Sequence, residues 1–275
     1  MALTTLAAVK EYLNITEAAY DDVLTTLVTE VSALIELLCD RKFDETTYRR
    51  WLNGAGIQYQ LLPEYPIIRL DMAAIGRKDA ATVSFDMANT THASVQVDDT
   101  NTTLRSITAG AVTVTQLAHA DYATLTLLEA AVELVAGWSM TVQSGYTQYP
   151  TADMAPSGGQ NAYGGSAYLY VPYNVCDDAQ IYRANAGMIY RPNGWPSGVN
   201  NIFVTWLAGY DTIPSALSLI AKQAIGDVWR RSTRDGGLQS ERLGDYSWTA
   251  AVFGPNTDAL ARLTRELSPY IRMGY

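Results

Sequence analysis

The chain has 275 residues, enough for one large domain or two smaller ones around a sizeable core. It is 48% hydrophobic and only 17% charged, against a usual charged fraction of about 25%, and 19 basic against 28 acidic residues leave a net charge of −9. That balance argues against a protein that grips nucleic acid through its phosphates, which needs a basic face, but not against one that nucleic acid passes by. Cys39 and Cys176 are expected to stay reduced, and with His92 and His119 they match no structural zinc spacing and no disulfide framework. The opening Met1-Ala2-Leu3-Thr4-Thr5 lacks a basic region followed by an apolar run, and no strongly apolar stretch approaches the roughly 20 residues of a membrane span. Synthesis in the cytosol, with no membrane partner, is the expectation.

Thr4 or Thr5 can cap a first helix carrying Leu6, Val9 and Leu13, which ends near Asn14. Asp21 and Asp22 then favour the positive end of a second helix, whose apolar stripe runs Leu24, Leu27, Val28, Val31, Leu34, Ile35, Leu38. Thr47–Leu52 and Ile57–Leu61 flank Asn53-Gly54-Ala55-Gly56 and read as a β-hairpin, and Glu64-Tyr65-Pro66-Ile67-Ile68 continues extended. From about Asp71 the texture changes to short Thr/Val-rich strands around 82–85, 93–97, 104–107 and 112–115. A helix capped by Thr124 and stopped by Gly137 follows, then a strand over 138–142. Residues 144–200 are sparse in charge and rich in glycine and proline, and hold eight of the 18 tyrosines, Tyr146 to Tyr190. So long a stretch with little regular structure suggests a binding or arm segment. Ile202–Leu207 reads as a strand ended by Ala208-Gly209-Tyr210. Pro214 opens a helix with Leu217, Ile220, Ala221, Ala224, Ile225, Val228 and Trp229 on its buried face. A last helix runs through Leu260, Leu263 and Leu267.

Chemical signatures are sparse. There is no phosphate-cradling glycine loop, no GxGxxG and no GxSxG nucleophile elbow. A catalytic triad would have to use His92 or His119, both in polar turn contexts. Asp98-Asp99 and Asp177-Asp178 are adjacent pairs whose side chains point opposite ways in extended chain, and neither brings the ligand set of a calcium loop. The expectation is a non-enzyme without metal or cofactor.

The flanks taken together carry a resemblance. Leu3-Thr4-Thr5-Leu6-Ala7-Ala8-Val9-Lys10-Glu11-Tyr12-Leu13 leads into the acidic-capped helix ending Cys39-Asp40-Arg41-Lys42-Phe43. Leu61-Leu62-Pro63-Glu64-Tyr65-Pro66-Ile67 follows, and later Val204-Thr205-Trp206-Leu207-Ala208-Gly209-Tyr210, a proline-started helix and Ser240-Glu241-Arg242-Leu243-Gly244-Asp245-Tyr246-Ser247. This series resembles the head–tail connector (adaptor) family of tailed DNA bacteriophages. It covers residues 1–70 and 202–250, and about 130 residues lie between where typical family members have far fewer.

The resemblance of the flanks, with the strand pattern read between them, implies an α+β fold. A helical connector core from residues 1–70 and 202–275, with a β-hairpin, would carry an inserted β-rich domain at 71–201 with one helix and a Tyr/Gly-rich arm. It further implies a structural virion protein at the neck, where a homo-oligomeric ring, commonly of about twelve copies, sits beneath the portal protein and offers a platform to a downstream neck or tail-completion protein. DNA would pass through the lumen without specific binding. Portal docking is assigned on this resemblance to the C-terminal segment, with Trp248, Phe253, Arg262, Arg265, Tyr270, Ile271, Arg272 and Tyr275 as candidates. Contacts with neighbouring subunits or partners are assigned to Tyr163, Tyr168, Tyr170, Tyr173, Tyr182 and Tyr190, since tyrosine offers large contact area at small entropic cost. The alternative reading, drawn from the aromatic-rich insert, is a carbohydrate-binding or host-adhesion module of a virion.

Overall fold

A computed structural model describes residues 2–232, 240–243, 246–249 and 257–272. In chain order, α1 (Leu6–Leu13) and α2 (Asp21–Cys39) precede the strands β1 (Thr46–Ala55), β2 (Tyr59–Leu61), β3 (Ile67–Phe85), β4 (Thr90–Val97), β5 (Asn101–Thr108) and β6 (Ala111–Ala118). Then come α3 (Leu125–Glu133), β7 (Trp138–Val142), β8 (Ser157–Asn161), β9 (Ala167–Val175), β10 (Gln180–Arg183), β11 (Met188–Tyr190) and β12 (Ser197–Ala208). The chain continues through α4 (Ser215–Ser232), β13 (Ser240–Leu243), β14 (Tyr246–Thr249) and α5 (Thr257–Leu267). It divides into two compact units, residues 1–45 with 209–275, and residues 46–208.

The first unit is mainly helical, with the two-stranded β13–β14 sheet within its residue range. Thr5 caps α1, its hydroxyl accepting from the Ala8 N–H at 3.2 Å, and Asn14 ends the helix in the left-handed region. The stripe read from the sequence is the buried face of α2: Leu24, Val28, Val31, Ile35 and Cys39. It shares one core with Leu3, Val9, Phe43, Leu217, Ile220, Ala221, Ile225 and Leu267. Each fully buried aliphatic side chain contributes roughly 1.5–3 kcal/mol, so these positions hold the two ends of the chain together. Phe43 stacks on Tyr210 with ring centroids 6.4 Å apart, and the Tyr210 N–H donates to the Phe43 carbonyl at 2.8 Å. Gly209 between them has φ +121°, and a Cβ there would run into the Asp44 carbonyl, which explains the glycine of the Ala-Gly-Tyr segment.

The second unit is β throughout except for α3 and short turns. β1, β12, β3 and β7 pair antiparallel in that order, and β9 also pairs with β3, over Ala74–Val83. β6, β5, β4 and β8 form a second antiparallel sheet, and β10, β11 and β2 a third. One core cluster, with Val83, Phe85, Val95, Leu104, Leu125, Leu128, Trp138 and Leu169 among its members, joins the first two sheets to α3. A second gathers Leu62, Ile67, Ile189, Trp195, Ile202, Val204 and Trp206.

A helical core with one hairpin and an inserted β domain is therefore not what the chain builds. The described residues hold fourteen strands and five α-helices, and strands dominate. β3 is one continuous strand of 19 residues that runs straight through position 71, where the sequence suggests a boundary. β1 and β2 do not form a hairpin: β1 pairs with β12, Trp51 facing Phe203, and β2 pairs with β11, Tyr59 facing Tyr190. Both belong to the β unit with the strand at 197–208. Residues 144–200 are not irregular either, since β8 to β11 and the start of β12 lie in them. Pro172 and the glycine pairs mask β9, yet Ala167, Leu169 and Val171 alternate inward as a half-buried strand demands.

Candidate interaction surface

Tyr59, Tyr182 and Tyr190 meet on the outer face of the sheet β10-β11-β2. Pairing of β2 with β11 sets Tyr59 opposite Tyr190, and the ring centroids lie 5.3 Å apart. Tyr182 on β10 completes the group, 5.0 Å from the Tyr59 ring and 6.3 Å from the Tyr190 ring. Residues facing the other way, Ile189 and Gln60, are buried. Tyr182 is 51% exposed, and Leu61 on β2 and Ile57 just before it are exposed apolar side chains. The Arg183 guanidinium lies 5.5 Å from the Tyr182 ring centroid. Partial desolvation, followed by the neighbouring Tyr182 hydroxyl, raises the Tyr59 phenol above its ordinary value. The surface is aromatic and, apart from Arg183, uncharged, which suits apolar contact or stacking.

The other candidate tyrosines lie elsewhere. Tyr168 is exposed on β9, and Tyr170, with its ring 6.5 Å away, is half-buried against the core cluster of Trp51, Ala74, Ala155 and Phe203; Tyr173 follows on the same strand, exposed, with the Lys78 ammonium 5.6 Å from its ring. Tyr163 is exposed beside a bridge to Phe85, where its N–H donates to the Asn161 side chain at 3.2 Å. The tyrosines are thus distributed over separate strands rather than gathered in one arm.

In the C-terminal segment, Arg262 pairs with Glu266 at 2.9 Å along α5, and Arg265 is exposed. Tyr270 and Ile271 pack on the helical core, Tyr270 edge-on to Phe43 with centroids 6.3 Å apart. The Arg272 N–H donates to the Cys39 carbonyl at 2.9 Å and its guanidinium to Asp40 at 3.3 Å. The last three of these candidates are engaged within their own unit. Trp248 lies on β14, and Phe253 and Tyr275 lie outside the described residues.

Other polar candidates serve the fold. Asp98 closes the β4–β5 turn: partial burial pulls its pKa upward, but bonds from the Thr100 N–H, the Thr100 hydroxyl and the Asn101 N–H outweigh that and hold it below the ordinary carboxylate value. His119 is buried, with Nε2 3.1 Å from the Thr102 hydroxyl, and burial lowers its pKa against the pull of Asp98 and Asp99. His92 is exposed on β4. Asp178 accepts from Arg191 at 2.8 Å and Asn193 at 2.9 Å, which lowers its pKa. Cys39 and Cys176 are free and buried, and burial pushes the Cys39 thiol up to about 11. Among the described residues, no three His, Cys, Asp or Glu side chains converge as metal ligands.

Tyr59 was not among the residues singled out from the sequence. Its signal was available: in Ile57-Gln58-Tyr59-Gln60-Leu61 the apolar residues alternate outward, and the buried member is Gln60. No family model matches the chain, and no curated protein matches it.

Proposed function

We propose that this chain is a structural virion protein, a head–tail connector that assembles as a ring beneath a portal and extends the DNA channel. The observation that carries this reading is the joining of the chain ends. Residues 1–45 and 209–275, which contain the opening helical segments and the proline-started helix of the connector-like series, form one compact unit whose helices share a core, while Leu61–Ile67 and Val204–Ala208 of the same series lie in the β unit. Net charge supports it as well. A chain at −9 repels the phosphate backbone, so DNA slides along such a lining without adhering. A downstream neck or tail protein would dock on the ring, and the exposed aromatic face of β10-β11-β2 has the composition of a contact surface. The test is negative-stain microscopy of the full chain mixed with a portal ring. A second ring stacked on the portal is expected, and a monomer indifferent to the portal overturns the reading.

One observation favours a second reading, a carbohydrate-binding or host-adhesion module: the exposed rings of Tyr59 and Tyr182 cluster with the half-buried ring of Tyr190, an aromatic group of the kind on which sugar rings stack. It predicts glycan-array binding by the full chain that Tyr182→Ala abolishes, and no ring.

A further inference from the structure

Among the described residues, β6 is an edge strand that pairs with β5 alone, whereas the opposite edge of the same sheet, β8, is tied to β9 through Gln160, whose side chain accepts from the Tyr168 N–H at 3.0 Å and donates to the Tyr168 carbonyl at 2.8 Å. Exposed edges of this length are ordinarily blunted by lysine, proline or a bulge. β6 reads Ala111-Val112-Thr113-Val114-Thr115-Gln116-Leu117-Ala118, with no charge, no proline and an unbroken register along all eight residues. Val112 and Val114 are 55% and 54% exposed.

The turn that precedes β6 determines which backbone groups point away from the sheet. Ala109 and Gly110 have φ +50° and +80°, a two-residue type I′ hairpin that closes on the pair Thr108–Ala111. In such a hairpin the closing pair is hydrogen-bonded, and bonded pairs then alternate along the ladder. Residues 111, 113, 115 and 117 therefore bond to β5, and the N–H and C=O groups of Val112, Val114 and Gln116 face outward.

We propose that this edge receives the β6 strand of a second copy of the chain, antiparallel about a two-fold axis at Val114. Self-pairing about that axis sets Val114 against Val114 and Val112 against Gln116, so every outward donor meets an outward acceptor, with about six new backbone bonds. An isologous contact places each group against its own symmetry mate, and a charge near the axis would repel itself. β6 carries none. The nearest charge on this face, Arg105, pairs with Val114 one strand further in, and its symmetry mate would stand about 14 Å away, beyond a Debye length at physiological salt. Electrostatic neutrality and the self-matching hydrogen-bond pattern select a second copy over a charged partner strand. The contact is two-fold, so it is separate from the heterologous contacts of a ring and does not rest on the connector reading.

The experiment uses the full chain with Val114→Cys, and Arg105→Cys as a control on the same face. Paired Cα atoms in a hydrogen-bonded antiparallel pair lie about 5.5 Å apart, within disulfide range. Val114→Cys is expected to oxidise to a disulfide-linked dimer at least about tenfold faster than Arg105→Cys, with the native cysteines buried and uninvolved. Val114→Pro removes only an outward donor, leaves the β5 ladder intact, and is expected to weaken self-association in sedimentation by at least about tenfold with unchanged circular dichroism. Equal oxidation of the two cysteine variants overturns the proposal. So does equal association of Val114→Pro and the parent chain, or capture of a different protein's strand by a chain that does not self-associate.

Discussion

Replacing Arg49 by alanine strands a carboxylate. Arg49 Nη1 donates to both oxygens of Asp153, at 2.9 and 3.1 Å, while Trp51, two residues along β1, donates from Nε1 to the Asp153 carbonyl at 3.0 Å. The Asp153 side chain is only 7% exposed and Arg49 is 45% exposed. The guanidinium is therefore largely solvated, and its attraction to the carboxylate is discounted for screening. The cost of the substitution comes from the buried acid left behind, whose pKa burial already raises against the opposing pull of Arg49. Breaking such a pair from one side costs about 3 kcal/mol, which in a unit of this size lowers Tm by about 6–12 °C. Scanning calorimetry at pH 7 measures it. Asp153→Asn keeps the backbone acceptor for Trp51 and removes the charge, so the double variant Arg49→Ala/Asp153→Asn should recover about 1–2 kcal/mol relative to the sum of the single changes. The sign with pH follows from the raised carboxyl. Without Arg49 the folded state holds the Asp153 proton at higher pH than the unfolded chain does, so the deficit of Arg49→Ala shrinks as pH falls from neutrality toward the ordinary carboxylate range. Additive single and double variants, or a deficit that grows on acidification, would refute the reasoning.

Three further outcomes follow from the same geometry. Gly209→Ala forces a side chain into φ +121° and onto the Asp44 backbone, and should destabilise the helical unit by about 2–4 kcal/mol in urea titration, with Gly110→Ala milder because open space surrounds it. His119 is held neutral by burial, so its lowered folded pKa makes stability fall as pH drops below about 6.5 toward that lower value; His119→Gln should flatten this part of the profile. Cys39, with its thiol pushed up to about 11, should react with a maleimide at pH 7.5 only as fast as the helical unit opens, and alkylation in the native state at the rate of a free thiol would contradict its burial.

The local helices were legible because their signals are local. Thr5 and Thr124 cap α1 and α3 with their hydroxyls, and the α2 stripe needs only 3.6-residue spacing to be seen. The strands at 93–97, 104–107 and 112–115 were likewise visible as alternating Thr/Val runs. What neither spacing nor composition contains is pairing. Alternation says that Thr47–Leu52 is extended but not that its partner is β12, about 150 residues away, rather than the nearby β2. The tyrosine platform is hidden for the same reason: Tyr59 and Tyr190 become neighbours only when β2 and β11 align. The chain by itself determined its helix caps, its alternating strands and its acidic balance, since each depends on residues within a few positions of one another. Which strands lie side by side, and so which tyrosines share a surface and which edge stays open, was decided by long-range hydrogen bonding and burial in the folded molecule.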